Sequence, residues 1–220
     1  MDKGEQVTVY TRWQDVFHDL PIAVKSLDER HGEIRHVAFS HRIDVPDRSI
    51  GQFVMRCRQA GITEPVDLTL RWRVNNPAFL DYIRRLAEGR KIFIYQSLKP
   101  LKDIEILRVN REPFKNFIKR HKDYFRIRLG HPPYVDDGID MECDLNLYGR
   151  GFILDTFDVC TIGDMFFGEP CFLQTIAEAL DKPSVCMMSR RATNSDSWAK
   201  NLTPEWQYHK KHLGTVIYDE

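Results

Sequence analysis

Residues 157–188, FDVCTIGDMFFGEPCFLQTIAEALDKPSVCMM, carry the clearest alternation of strand-like and helix-like patterns in the chain. The apolar run 157–162 predicts a buried strand, which is followed by a glycine-containing loop that begins at Gly163. Apolar residues then recur at helical spacing: Leu173, Ile176, Ala177 and Leu180. Pro183 ends that segment, and residues 184–188 predict the next strand. Strand, loop, helix and strand in this order predict a parallel βαβ unit.

The same alternation runs through the rest of the sequence. Further strand patterns lie at 6–10, 34–39, 91–96 and 126–129, and further helical patterns lie at 49–60, 76–89 and 112–121. Strands that alternate with helices of this length predict an α/β fold with parallel sheets. The segment 97–111 has little apolar periodicity, so we expect two Rossmann-like lobes that pack together, residues 1–105 and 106–220.

Composition excludes several classes of protein. The chain has 220 residues, of which 42% are hydrophobic, enough to bury a core. Thirty-two basic residues balance thirty-two acidic ones, so bulk charge would not attract nucleic acid. No apolar run approaches the roughly 20 residues of a membrane helix, and the N-terminus lacks a signal-peptide pattern. We therefore expect a cytoplasmic protein.

The five cysteines and the clusters of charge are weaker indications. No two cysteines form a C-x-x-C pair, which argues against a structural zinc site and favours reduced, structural thiols. The acidic run 136–144 contains oxygen ligands suited to Mg²⁺ or Mn²⁺, but a solvated loop fits it better. The basic segment 115–128 is typical of a solvated helix face. Peripheral contact with an anionic membrane, or with phosphate on an acceptor, stays open for it.

The loop between the 157–162 pattern and the next helix is a candidate phosphate site. Such a loop presents free backbone N–H groups and the positive end of a helix dipole, which suit a diphosphate. Gly163 and Gly168 would allow close backbone approach, and Glu169 could accept hydroxyl groups of a ribose or sugar. An ordinary βαβ turn explains the same pattern equally well, so both interpretations remain.

Three stretches resemble the GT-B glycosyltransferases, most of all the heptosyltransferase-like glycosyltransferase family 9: AEALDKP at 177–183, VTVYTRWQDVFHDLP at 7–21 and DLNLYG at 144–149. The resemblance implies two Rossmann-like lobes. It also implies transfer of a sugar from a nucleotide-sugar donor to a glycan or lipopolysaccharide-like acceptor, without a metal or other cofactor. Ser97 and Lys99 match a serine and a lysine that the family often carries near the donor, and Thr175 stands where the family has a histidine.

The sequence also departs from the family pattern. The family's Asp-Ser/Thr-Gly falls on residues 170–172, Pro-Cys-Phe. The family's first strand and Gly-Asp loop would precede residue 1, so we expect either a shortened form of the polypeptide or a protein without the first strand. Candidate bases lie near predicted strand ends (Asp15, His18, Asp19 and His41), but no catalytic residue is assigned. Two alternatives stay open: a sugar-nucleotide epimerase, and a non-catalytic module that binds a nucleotide-sugar.

Overall fold

A computed structural model describes residues 8–11, 23–26, 72–96, 109–130, 142–150, 153–169, 172–189 and 214–218. Its strands are β1 (Thr8–Thr11), β2 (Ala23–Ser26), β3 (Ile92–Gln96), β4 (Phe125–Leu129), β5 (Leu145–Asn146), β6 (Met165–Gly168), β7 (Ser184–Met188) and β8 (Gly214–Tyr218). Its helices are α1 (Pro77–Ala87), α2 (Arg111–Arg120), α3 (Ile153–Thr161) and α4 (Phe172–Ala179). The predicted strand 34–39 and helix 49–60 lie outside these residues.

All described strand pairs are parallel. β1 pairs with β2, and the other strands form a six-stranded sheet in the order β5-β4-β3-β6-β7-β8. Counted from β3, this is the Rossmann strand order, in which the chain builds outward from the central strand first to one side and then to the other. The predicted α/β fold with a parallel sheet is therefore confirmed.

The central strand β3 begins this sheet. All five of its residues are buried, and it is hydrogen-bonded to β4 on one side and to β6 on the other. A division at residue 105 would assign β3 to a first lobe, yet it lies in the middle of the sheet formed by the second half of the chain. Helix α1 packs in the same core through Leu80 and Ile83, so the unit built on this sheet includes residues 72–96.

The two faces of the sheet carry different helices. Helices α1, α3 and α4 pack on the face of Ile92 and Ile94. Helix α2 packs on the opposite face, where Phe114 and Phe117 stack near Phe167 with ring centroids 4.5 and 4.2 Å away. The crossovers β3-α2-β4 and β6-α4-β7 run in opposite directions along the sheet. Because both are right-handed, their helices lie on opposite faces.

The ends of helix α1 follow from the local sequence. Asn76 caps the helix, since its Oδ1 accepts a hydrogen bond from the Phe79 N–H at 3.2 Å, and Pro77 occupies the first position. At the other end Glu88 and Gly89 adopt positive φ angles of 52° and 79°, which turn the chain toward β3.

One predicted strand is wrong. Residues 157–161 form the second half of helix α3, and the strand is Met165–Gly168 instead. A short apolar run does not distinguish a strand from a buried helix. In the folded chain Val159 and Cys160 pack into the core from the helix.

Asp158 explains why α3 is placed as it is. This fully buried carboxylate accepts hydrogen bonds from the Trp72 indole N–H at 2.7 Å and from the Asn75 and Asn76 backbone N–H groups at 3.0 and 2.7 Å. The Trp72 ring also stacks on Phe157 at 4.8 Å.

Replacement of Asp158 tests this anchor. We expect Asp158→Asn to lower the free energy of unfolding by about 2 kcal/mol. An amide is a weaker acceptor than a carboxylate, and its own N–H groups would face the N–H groups of Trp72, Asn75 and Asn76. Urea denaturation measures the change. The control is Asp81→Asn, which removes an exposed pair with Arg84 and should cost under about 0.5 kcal/mol. Equal losses in the two variants would contradict the assignment.

Candidate functional site

The candidate site lies at the edge where the parallel strands end, here called the carboxyl edge. Gln96 ends β3 opposite Leu129 of β4, and on the other side the last paired positions are Tyr95 and Phe167, one step before Gly168. Because β3 and β6 lead to helices on opposite faces, their ends form the topological switch point of the sheet, here called the crevice. In open α/β sheets this switch point is where ligands bind.

Buried polar side chains gather at the carboxyl edge. Gln96 ends β3, Glu169 directly follows β6 and Ser189 directly follows β7, and the exposed fraction of each is 8% or less. Buried polar groups persist where they have hydrogen-bond partners. Gln96, Glu169 and Ser189 together bring hydrogen-bonding atoms to the ends of three neighbouring strands, which a polar ligand could use.

Helix α4 adds an anion-binding element to this edge. The helix begins at Phe172, three residues after Glu169, so its N-terminus lies on the same edge of the sheet as Gly168. Its free N–H groups and positive dipole end suit a phosphate group. The glycine at the end of β6 has no side chain that would separate backbone and ligand.

The predicted site residues do not all come together. Gly168 and Glu169 lie at the crevice. Thr175 lies on the exposed side of α4, one turn into the helix. Ser97 and Lys99 lie outside the described residues, directly after Gln96. Gln96 itself was not predicted. A polar residue that ends a β-rich apolar run is the signal that would have found it.

Gly163 is at the opposite edge of the sheet. It lies between helix α3 and strand β6, where a Cβ atom would come within 2.7 Å of Ile94 Cδ1 and of Phe166 Cζ. This placement corrects the prediction that Gly163 lies against a diphosphate, because the strand begins after this glycine and not before it. Gly163 instead allows α3 to approach the sheet closely.

The described carboxylates of the acidic run are engaged by arginines. Arg126 contacts Glu142 at 3.0 Å and Asp144 at 3.2 Å, and Arg90 contacts Asp144 at 3.3 Å. Burial alone would raise the pKa of Asp144, but hydrogen bonds from the Arg126 backbone and side chain and the Arg126 charge hold that pKa below its usual value. Among the described residues no three His, Cys, Asp or Glu side chains gather as metal ligands would.

A buried tyrosine and a cysteine lie beside this cluster. The Tyr95 hydroxyl donates a hydrogen bond to the Glu142 carbonyl at 3.0 Å. Burial raises the pKa of Tyr95 and, with smaller effects of opposite sign from Arg128 and Tyr95, raises the pKa of the Cys143 thiol. Neither group is therefore prepared to act as a base or a nucleophile near neutral pH. Cys143, Cys160 and Cys186, the cysteines that the structure describes, form no disulfide.

Comparison with solved structures identifies the fold. A family 9 glycosyltransferase from Veillonella parvula matches 76% of this chain and 47% of its own length, with a TM-score of 0.52 and 10% identity. The dodecameric iron-containing heptosyltransferase TibC, in complex with ADP-D-β-D-heptose, matches 88% of this chain and 49% of its own length, with a TM-score of 0.50 and 12% identity. The Escherichia coli ADP-heptose lipopolysaccharide heptosyltransferase II matches 69% of this chain and 47% of its own length, with a TM-score of 0.49 and 15% identity.

The match to the family 9 glycosyltransferase from Veillonella parvula confirms the resemblance to this family at the level of the fold. The chain spans about half the length of the structures that it matches. No protein-family model matches the sequence, and no curated protein matches it significantly. None of the helices in the described ranges has the length and apolar character needed to cross a bilayer.

Substitution of Gly163 separates packing from ligand binding. We expect Gly163→Ala to lower the free energy of unfolding by about 1–3 kcal/mol, because the new Cβ meets Ile94 and Phe166. Thermal denaturation measures the loss, and any ligand response of the folded variant should equal that of the unchanged protein. Gly89→Ala is the control without a clash: only its φ of +79° opposes the substitution. A stable Gly163→Ala variant with a lost ligand response would contradict the packing role.

The Asp144 carboxylate predicts a dependence of stability on pH. Its pKa is lower in the folded than in the unfolded chain, so its contribution is present above the unfolded value of about 3.9 and is lost as pH falls through the folded value. We expect Asp144→Asn to be less stable than the unchanged protein from about pH 5 to 8. The difference should shrink below about pH 4. Denaturant unfolding measured across that range checks this, and a difference that stays constant to about pH 2 contradicts it.

Proposed function

We propose that this chain supplies the donor-binding unit of a GT-B-type glycosyltransferase, which moves a sugar from a nucleotide-sugar donor to a glycan or lipopolysaccharide-like acceptor without a metal. The observation that carries the proposal is the crevice between β3 and β6. It combines a Rossmann strand order with Gly168, a buried Glu169 and the N-terminus of α4. The fold likeness to family 9 glycosyltransferases supports it by analogy.

The chemistry of the crevice fits the two ends of such a donor. The N-terminus of α4 offers N–H groups to a diphosphate, which gains negative charge when it leaves the sugar. Glu169 offers carboxylate oxygens to hydroxyl groups. In the same proposal Ser97 and Lys99, which follow Gln96 in the sequence and lie outside the described residues, bind the leaving diphosphate, and the lysine cation would stabilise it. We propose a cytoplasmic location for this reaction.

An adenine nucleotide is the first donor to test. TibC, whose fold this chain shares, was solved with ADP-D-β-D-heptose. The proposed donor for this chain is therefore an ADP-sugar, and UDP-, GDP- and CMP-sugars are the comparison set. The acceptor would be a glycan or glycolipid hydroxyl.

A non-catalytic module is the second candidate function. The specific observation that favours it is Thr175, an exposed residue of α4 at the position of the family's histidine, together with Pro-Cys-Phe at the position of the family's Asp-Ser/Thr-Gly. Such a module would bind the nucleotide-sugar without transferring the sugar. The epimerase alternative shares the crevice and differs in its products.

Thermal shift tests the donor site. A ligand at about 100 times its dissociation constant adds about 2.7 kcal/mol to stability, which raises the melting temperature by several degrees. We expect this rise with one class of nucleotide-sugar, and we expect Glu169→Gln to lose most of it. Glu88→Gln is the matched control, because Glu88 is exposed at the other end of the sheet, before β3.

The products separate the alternatives. A transferase releases free nucleoside diphosphate when donor and acceptor are both present, an epimerase interconverts sugar nucleotides without that release, and a module binds without turnover. If no nucleotide-sugar shifts the melting temperature, the donor-site proposal is wrong.

A further inference from the structure

The side chain of Gln96 is unusual for a central strand. Gln96 ends β3, whose other residues are apolar or aromatic and are buried with it. Its exposed fraction is 8%, and its amide oxygen Oε1 has no hydrogen-bond partner in the described part of the chain. A buried amide oxygen without a partner opposes folding, because it has lost water and gained nothing in return.

The position of Gln96 explains why such a residue would be retained. It pairs with Leu129 of β4 and lies one step beyond the Tyr95–Phe167 pair, at the level of Gly168. Side chains alternate along a strand, so Gln96 is on the same face as Ile92 and Ile94. Helix α4 packs on that face. The amide therefore lies at the crevice, on the side from which α4 begins.

We propose that Gln96 is a donor-contacting residue whose Oε1 accepts a hydrogen bond from a hydroxyl group of the bound nucleotide-sugar. An amide oxygen is an acceptor, so it suits a hydroxyl group and not a phosphate oxygen. The α4 N-terminus suits the phosphates. In this proposal the Gln96 amide oxygen binds a hydroxyl group of the ligand, and the N-terminus of α4 binds its phosphates. This inference rests on the proposed donor site, and it adds a residue and a chemical role to that site.

The proposal predicts that one substitution raises the melting temperature without ligand and lowers the affinity for the ligand. Gln96→Met keeps the approximate size of the side chain and removes both polar atoms. Without ligand, the variant should melt at a higher temperature than the unchanged protein, because a buried group without a partner has been removed. With ligand, its affinity should fall about tenfold, which is the effect of one lost hydrogen bond. A purely structural glutamine would give a lower melting temperature without ligand.

The experiment measures melting temperature without ligand, and affinity by titration calorimetry, for the unchanged chain, Gln96→Met and Ser184→Ala. Ser184 is a buried polar residue at the amino end of β7, away from the crevice, so its replacement should leave affinity unchanged. The probes are ADP and an ADP-sugar, or the corresponding pair for whichever nucleotide shifts the unchanged protein.

The outcomes separate this inference from the function on which it rests. A loss of affinity for ADP assigns the hydrogen bond to a ribose hydroxyl, and a loss limited to the ADP-sugar assigns it to a hydroxyl of the transferred sugar. Either loss, with a raised melting temperature, supports the proposal. Unchanged affinity, or a lowered melting temperature, overturns it. If the unchanged protein binds none of the nucleotides, the proposed function itself has failed.

Discussion

The burial of strand β3 on both faces and its pairing on both edges are the constraint on which the rest of the structure depends. Because β3 is hydrogen-bonded to β4 and to β6, each of the four helices that the structure describes packs near it. Its direction also defines the carboxyl edge for its neighbours, since the strands are parallel. The crevice exists because the chain builds to one side of β3 first and to the other side later.

Three aspartates accept hydrogen bonds from backbone N–H groups, two of them at the opposite end of this sheet. Asp164 accepts a hydrogen bond from the Ile92 N–H at 2.8 Å, Asp144 accepts one from the Arg126 N–H at 2.8 Å, and Asp158 holds the segment before α1. These carboxylates accept hydrogen bonds from backbone N–H groups near the beginnings of strands and of a helix, where the regular backbone hydrogen bonds leave some N–H groups without a partner. They orient the central strands without taking part in the chemistry that we propose at the carboxyl edge.

The site shows how a small error in strand position changes an interpretation. Placing a strand at 157–162 put Gly163 at a carboxyl end, and the strand that forms at 165–168 puts it at an amino end instead. Gly168 ends the strand that forms and Glu169 directly follows it, so both lie at the carboxyl edge. One shift of a short strand thus moves Gly163 to the amino end of β6, where it has a packing role, and leaves Gly168 at the carboxyl edge.

The sequence by itself determined the class of fold, most element types and several element ends. Helix α1, with its Asn76 cap and Gly89 turn, and strands β3, β4 and β7 follow from local periodicity and from cap residues, which are short-range properties. Only the tertiary structure showed that 157–161 is helical, and from this helix Asp158 reaches partners more than 80 residues away in the sequence. It alone also showed that Gln96 is buried beside Gly168, because strand order is set by long-range pairing, and neither periodicity nor capping encodes it.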